Sequence, residues 1–212
     1  MPLVYADEFV SLYHGDCRDE LDWLSADVLI TDPAYGMAYV SNSSKYGSTD
    51  AIAGDNDPAI RNDVLRLWRE RPALVFGTWR VPRPLSKIRQ LIVWDKGDSP
   101  GMGDLSIPWG PAHEEIYVLG DGWSGKRRSN VYRVPTLPPS ASYRPDHPTP
   151  KPVALMEQLI EYAPGGVIAD PFAGSGATLV AARNQGRQAI GVEVDERYCQ
   201  VIIDRLSQGV LV

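Results

Sequence analysis

Short apolar runs, each broken by a polar or glycine-bearing turn, recur along this chain. Asp27–Thr31, Ala73–Gly77, Gly166–Ala169 and Ala189–Val192 are near-continuous rather than alternating, which is the pattern of strands buried on both faces. Two stretches change period. Arg61–Trp68 reads as an amphipathic helix, and Ala177–Ala182 is rich in helix formers. Strands followed by glycine turns and helices predict an α/β fold, a doubly wound and mostly parallel sheet. Val134–Pro152 is proline-rich and reads as an extended connector, while Val40–Thr49 is small and polar and reads as a mobile loop. No internal repeat is visible.

Two of the turns carry candidate chemistry. Asp170-Pro171-Phe172-Ala173-Gly174-Ser175-Gly176 joins a predicted strand to a predicted helix. Gly174 and Gly176 let a ligand approach the backbone, and the new helix offers unpaired N–H groups at its start. Glu193 ends the next apolar run, roughly 20 residues on, at the usual spacing for a ribose-binding acid. The dinucleotide fingerprint is incomplete, because Leu179 stands where a third glycine belongs and Asp170 would repel a pyrophosphate. No P-loop motif occurs. A phosphate-free cofactor fits better, and S-adenosylmethionine, with its ammonium and sulfonium groups, tolerates a nearby acid. A plain strand-to-helix turn is the other reading of these glycines.

The earlier turn is Asp32-Pro33-Ala34-Tyr35, at the carboxyl end of Asp27–Thr31. Asp32 can accept a hydrogen bond from an amino group, the Pro33 carbonyl can accept a second, and Tyr35 can stack on a planar ring. This is a clamp for a nucleobase amine. A capped turn with a buried tyrosine is the alternative.

Asp32-Pro33-Ala34-Tyr35 resembles the D-P-P-Y signature of DNA amino-methyltransferases, with Ala34 in place of the second proline, and Asp170 to Gly176 resembles their F-x-G-x-G cofactor motif. The order, with the catalytic motif first and the cofactor loop last, is similar to the circularly permuted group called beta-class, along nearly the whole chain. The resemblance implies a Rossmann-like methyltransferase fold. It also implies catalytic roles for Asp32, Pro33, Ala34 and Tyr35, and cofactor contacts from Asp170, Phe172, Ala173, Gly174, Ser175, Gly176 and Glu193. Val10–Cys17 is similar to the family's opening strand and G-D turn, so Asp16 inherits a role facing the cofactor adenine. His147-Pro148-Thr149-Pro150-Lys151-Pro152 is similar to the H-P-T-x-K-P motif at the methionine end of the cofactor, which makes Thr149 and Lys151 candidates there. Leu91–Lys96 and His113–Leu119 look like the paired strands that follow the catalytic motif.

Composition narrows the remaining choices. The 212 residues are 43% hydrophobic, suited to one domain over 1–212, with 120–146 expected as an inserted target-recognition segment. The net charge of −6 argues against a generally basic DNA-binding surface. Lys126, Arg127, Arg128, Arg133 and Arg144 nevertheless cluster where the family places its recognition segment, and they are the expected contacts to double-stranded DNA. A solvated loop with surplus arginines is the other reading. Cys17 and Cys199 lack C-x-x-C spacing and the histidines are scattered, so no metal is expected. No run approaches a membrane span and Met1-Pro2-Leu3-Val4 lacks signal-peptide character, so the expected location is the cytoplasm of a bacterial cell or a phage-infected host. A homodimer is compatible with so short a recognition segment.

An amine inside a stacked base pair cannot meet a methyl donor in line, so the clamp predicts a base extruded from the duplex. Neither cysteine follows a proline, which disfavours methylation at a ring carbon. By resemblance, aspartate at position 32 points to N6 of adenine. N4 of cytosine, an RNA or protein amide, and a methyltransferase-fold binding module without turnover are the alternatives.

Overall fold

Residues that alternate between two apolar faces build the centre of the molecule. The computed structural model describes residues 2–33, 59–97, 103–138, 144–145, 147 and 149–208. Within them, nine strands form one sheet: β1 (Leu3–Ala6), β2 (Val10–His14), β3 (Val28–Thr31), β4 (Ala73–Gly77), β5 (Ile88–Asp95), β6 (His113–Leu119), β7 (Val131–Arg133), β8 (Ile168–Asp170) and β9 (Ala189–Glu193). Their order across the sheet is β1-β2-β9-β8-β3-β4-β6-β5-β7. The five consecutive strands from β2 to β4 run parallel, while β1 and β6 run against their neighbours. The described residues also hold four helices: α1 (Ala59–Trp68), α2 (Val153–Ile160), α3 (Ala177–Asn184) and α4 (Glu196–Ser207). This is the doubly wound, mostly parallel α/β architecture that the apolar runs predict.

The period of two sorts side chains between the faces. Val28, Ile30, Leu74, Phe76, Ile116 and Val118 point to one side, where α2, α3 and α4 cover them with Leu155, Leu159, Leu179, Ala182 and Ile202. Leu29, Ala73, Val75, Tyr117 and Leu119 point to the other, under Val64, Leu65 and Trp68 of α1 and Trp23 of a 3-10 turn at Asp22–Ser25. Trp23 and Trp68 stack with ring centroids 5.9 Å apart. Gly191 is where α3 comes closest to the sheet, since a Cβ there would lie 2.6 Å from Leu179.

The expected strands and helices fall where their apolar runs lie, with ends shifted by a residue or two. The described residues between Val134 and Pro152 hold no regular element. The loop expected at 40–49 lies outside the described residues. Trp94 is core, and its indole donates to the Val134 carbonyl at 2.7 Å. No helix among the described residues is long and apolar enough to cross a membrane.

Candidate active site at the carboxyl edge of the sheet

Five parallel strands end on one edge, and four of them bring an acid to it. Asp16 follows β2, Glu193 ends β9, Asp170 ends β8 and Asp32 follows β3. Open α/β sheets bind ligands in the crevice outside such carboxyl ends. Because β6 runs in the opposite sense, its first residues, His113 and Glu114, reach the same edge, as does Lys96 just past β5.

The strand ends that lead into the two motifs singled out in the sequence meet here. Thr31 Oγ donates to Asp170 Oδ1 at 2.7 Å, joining the β3 and β8 ends across 139 residues of sequence. Asp170 is itself interior and also accepts from the Phe172 N–H at 3.2 Å. Burial pushes its carboxyl up to about 6, against hydrogen bonds from Thr178, Thr31 and Phe172, and the Asp32 charge adds to the rise.

Past Asp170 the chain turns through Phe172 and the buried Ala173 and Ser175, with Gly174 at φ +52° and Gly176 at φ +78°. Those left-handed angles suit glycine. Gly176 caps α3, and a Cβ on it would meet Ile202 at 2.9 Å. Glu193 props this turn. Its Oε2 accepts from the Gly174 N–H at 2.7 Å and its Oε1 from the Asp195 N–H at 2.9 Å. Burial pushes the Glu193 carboxyl up to about 7; the two N–H groups pull it down, while the Asp195 and Asp170 charges push further. Next door, Arg18 grips Asp16 with Nε and Nη2 at 3.0 and 2.6 Å and holds its carboxyl below the ordinary range. The Gly15 N–H ties this turn to the Glu193 carbonyl at 2.8 Å.

On the other side of β3, Lys151 forms an ion pair with Asp32 and lies 3.3 Å from Glu114 Oε2, while Lys96 Nζ is 2.7 Å from Glu114 Oε1. Burial works against the Lys151 ammonium, yet the Asp32 and Glu114 carboxylates outweigh it and hold the group above the ordinary lysine range. Burial likewise opposes the Glu114 carboxylate, and the two lysines pull it below its ordinary range. Thr149 is exposed, with its N–H donated to His147 Nδ1 at 3.2 Å. His147 packs on Tyr198, ring centroids 4.7 Å apart, and borders the Gly174 turn. Burial, with the charges of Lys151, Arg144 and Arg205, pushes its pKa down to about 4. Ala34 and Tyr35 lie outside the described residues.

The basic cluster is divided by the fold. Arg133 donates to Asp95 Oδ2 at 2.7 Å, at the same edge as Asp32, and Arg144 donates to the Leu137 carbonyl at 2.7 Å. Arg128 instead lies between the Tyr132 and Tyr162 rings, 4.3 and 4.7 Å from their centroids, and 3.8 Å from Glu161 at the end of α2 remote from Lys151. Lys126 and Arg127 are exposed on the same loop.

Glu114, Lys96 and Thr31 belong to this edge although sequence reasoning gave them no role. A charged opening to an otherwise apolar strand, His113-Glu114-Glu115 before Ile116, was the available signal. Trp79, Leu105 and Trp109 also stand exposed in the loops after β4 and before β6.

The N6_N4_Mtase family model, described as DNA methylase, matches residues 111–204, from the start of β6 into α4. DNA adenine methyltransferase YhdJ of Escherichia coli is 37% identical, aligned over 97% of this chain and 85% of its own. The chain belongs to the DNA methylase family. Type II methyltransferase M2.LlaDCHI of Lactococcus lactis subsp. cremoris, another relative, is 33% identical over 97% of this chain and 92% of its own. Among solved structures, the M1.HpyAVI–SAM complex shares the fold at a TM-score of 0.66 and 20% identity, covering 93% of this chain and 99% of that one. Residues 111–204 include Glu114, Lys151, the glycine turn and Glu193, and the likeness to YhdJ covers 97% of the chain.

Proposed function

We propose that this chain transfers a methyl group from S-adenosylmethionine to the exocyclic N6 amine of an adenine extruded from duplex DNA. The observation that carries the reading is the Thr31–Asp170 hydrogen bond, because it brings Asp32, next after Thr31, and the glycine turn that follows Asp170 to one edge of the sheet. Membership of the DNA methylase family supplies the substrate class, and YhdJ, alike over almost the whole chain, is named an adenine methyltransferase.

The residues at this edge fit such a cofactor. Asp16, Glu193 and Asp170 make it acid-rich, which suits a ligand bearing hydroxyls, an ammonium and a sulfonium and disfavours a phosphate. Gly174, half-buried at φ +52°, is the point of the turn that can present backbone to a ligand, while Gly176 is buried against Ile202 and starts α3. In this reading Glu193 receives the ribose hydroxyls, Asp16 faces the adenine, and the backbone from Phe172 to Gly176, with Thr149, borders the methionine end. The cofactor supplies an electrophilic methyl group. Asp32 and the Pro33 carbonyl accept hydrogen bonds from the two amine N–H groups, which restores lone-pair density on the nitrogen and points it at the methyl donor; Tyr35 stacks on the base. Orientation of this kind contributes several kcal/mol, roughly, to the rate. The motif order supports a circularly permuted, beta-class arrangement, with Lys126, Arg127, Arg133 and Arg144 approaching the DNA from the 120–146 segment, while Arg128, also expected there, is engaged by Tyr132 and Tyr162.

N4 of cytosine is the second reading, favoured by the family model's own name, which covers both amines. The test is to incubate the protein with unmethylated genomic DNA and methyl-labelled S-adenosylmethionine, then identify the labelled nucleoside by mass. N6-methyladenosine is the expected product. N4-methylcytosine overturns the base, and no label on DNA, RNA or protein overturns the activity in favour of a binding module.

A further inference from the structure

We propose that Lys151 is a positioning residue that acts through Asp32, with Glu114 and Lys96 as its anchors, and that it does not bind the cofactor. The inference rests on the methyltransferase reading above and adds to it a residue that sequence resemblance had assigned to the cofactor.

Its place in the sheet separates the two roles. Lys151 reaches Asp32 after β3 and Glu114 on β6, so it spans β4, the strand between them, with its ammonium 5.2 Å from the ring centre of Phe76. The glycine turn lies on the other side of β3, after β8, and leans on Glu193 of β9. The ammonium is thus held by Asp32 and Glu114, across β3 from the strand that leads into the loop expected to cradle the cofactor.

The setting is also built to hold this side chain still. Lys151 is only 8% exposed and is bracketed by Pro150 and Pro152, whose rings fix the local backbone direction. Phe76 and Trp94 form apolar walls, the latter 5.9 Å away and itself fixed by its bond to the Val134 carbonyl. Beyond it, Lys96 completes a chain of alternating charges, Asp32, Lys151, Glu114, Lys96, whose formal sum is zero. Exposed ion pairs contribute little, whereas removing one member of a buried set leaves a carboxylate uncompensated. Lys151 therefore fixes the Asp32 carboxylate as an oriented acceptor for the target amine.

Lys151→Met keeps the length and apolar stem and removes the charge; Lys151→Arg keeps the charge. For Lys151→Met, kcat on a duplex substrate falls about 100-fold or more, while the Kd for S-adenosylmethionine, measured without DNA, stays within about threefold. Lys151→Arg recovers part of kcat. The pH profile adds a readout that a structural role would not move. In Lys151→Met, Asp32 and Glu114 lose the ammonium between them, with Lys96 still on Glu114, Asp170 behind Thr31 and neutral His147 beyond, so one of the two carboxyls takes up a proton. The kcat of that variant then rises with pH between about 5 and 8 more steeply than that of the unaltered enzyme. Glu114→Gln, which loosens the anchor alone, lowers kcat about tenfold with unchanged cofactor affinity. Loss of cofactor affinity in step with kcat, or an unchanged kcat, overturns the proposal. If the unaltered protein transfers no methyl group, the functional reading fails and melting temperatures decide this one. Asp32→Asn and Lys151→Met combined then shift Tm by clearly less than their sum, and additive shifts overturn the pairing. Should Lys151→Met not fold, Lys151→Arg and Glu114→Gln carry the same comparisons.

Discussion

Glu193 accepts the Gly174 N–H at 2.7 Å, so the last side chain of β9 is the support on which the turn after β8 rests. Its second oxygen accepts the Asp195 N–H at 2.9 Å, at the start of α4, which makes one carboxylate the junction of two loops. Glutamine at this position keeps the shape but offers one oxygen where two N–H groups now find acceptors. Glu193→Gln is expected to weaken S-adenosylmethionine binding about tenfold or more in a calorimetric titration, because the turn loses an acceptor and the ribose its carboxylate. Unchanged affinity would remove Glu193 from the cofactor site.

The fold was legible where burial is symmetrical. β3, β4 and β9 have neighbours on both sides and a covered face above and below, so their runs are apolar throughout. β1 and β7 end the sheet, and their mixed burial leaves no period to read. The site divides in the same way. The turns at Asp32 and Asp170 are local in sequence and announce themselves, but their connection through Thr31 and the Lys151–Asp32 ion pair span 139 and 119 residues, and no local spacing encodes such contacts. Charge alone also could not reveal that Arg128 is spent between two tyrosine rings.

Stability should carry the mark of the two raised carboxyls. Glu193, up to about 7, and Asp170, up to about 6, bind protons more tightly folded than unfolded. Their contribution is therefore fully present below about pH 4 and is lost as pH rises through 6 and 7. Asp16 and Asp195, both lowered, act in the opposite sense and lose theirs as pH falls below their ordinary range. In thermal melts of the cofactor-free protein, Glu193→Gln is expected to flatten the decline in Tm between pH 5 and 7, whatever it does to Tm itself. A decline of the same slope in the variant would contradict the burial argument.

Asp32 and the cofactor turn should separate in kinetics. Asp32→Asn keeps an oxygen toward the amine but removes the charge that stabilises a nitrogen becoming cationic during transfer. We expect kcat to fall by about 1,000-fold and the Kd for S-adenosylmethionine to stay within about threefold, measured by single-turnover transfer and by equilibrium binding. A comparable loss of cofactor binding would mean that the two turns are not divided in function.

The basic residues of the 120–146 segment should divide as well, and salt can tell them apart. Lys126, Arg127 and Arg128 are all exposed, but Arg128 is held by Tyr132, Tyr162 and Glu161, so the charges of the first two are the ones available to phosphates. Each phosphate contact releases counterions and adds about 0.9 to the slope of log K against log salt. Replacing Lys126 and Arg127 together with alanine is expected to lower that slope by nearly two on duplex DNA without changing Tm. Arg128→Ala should do the reverse: it removes a cation from between two aromatic faces, which costs about 1–2 kcal/mol of stability, and leaves the salt slope in place. A slope that falls with Arg128→Ala and holds with the double variant would move the DNA path to the other side of this loop.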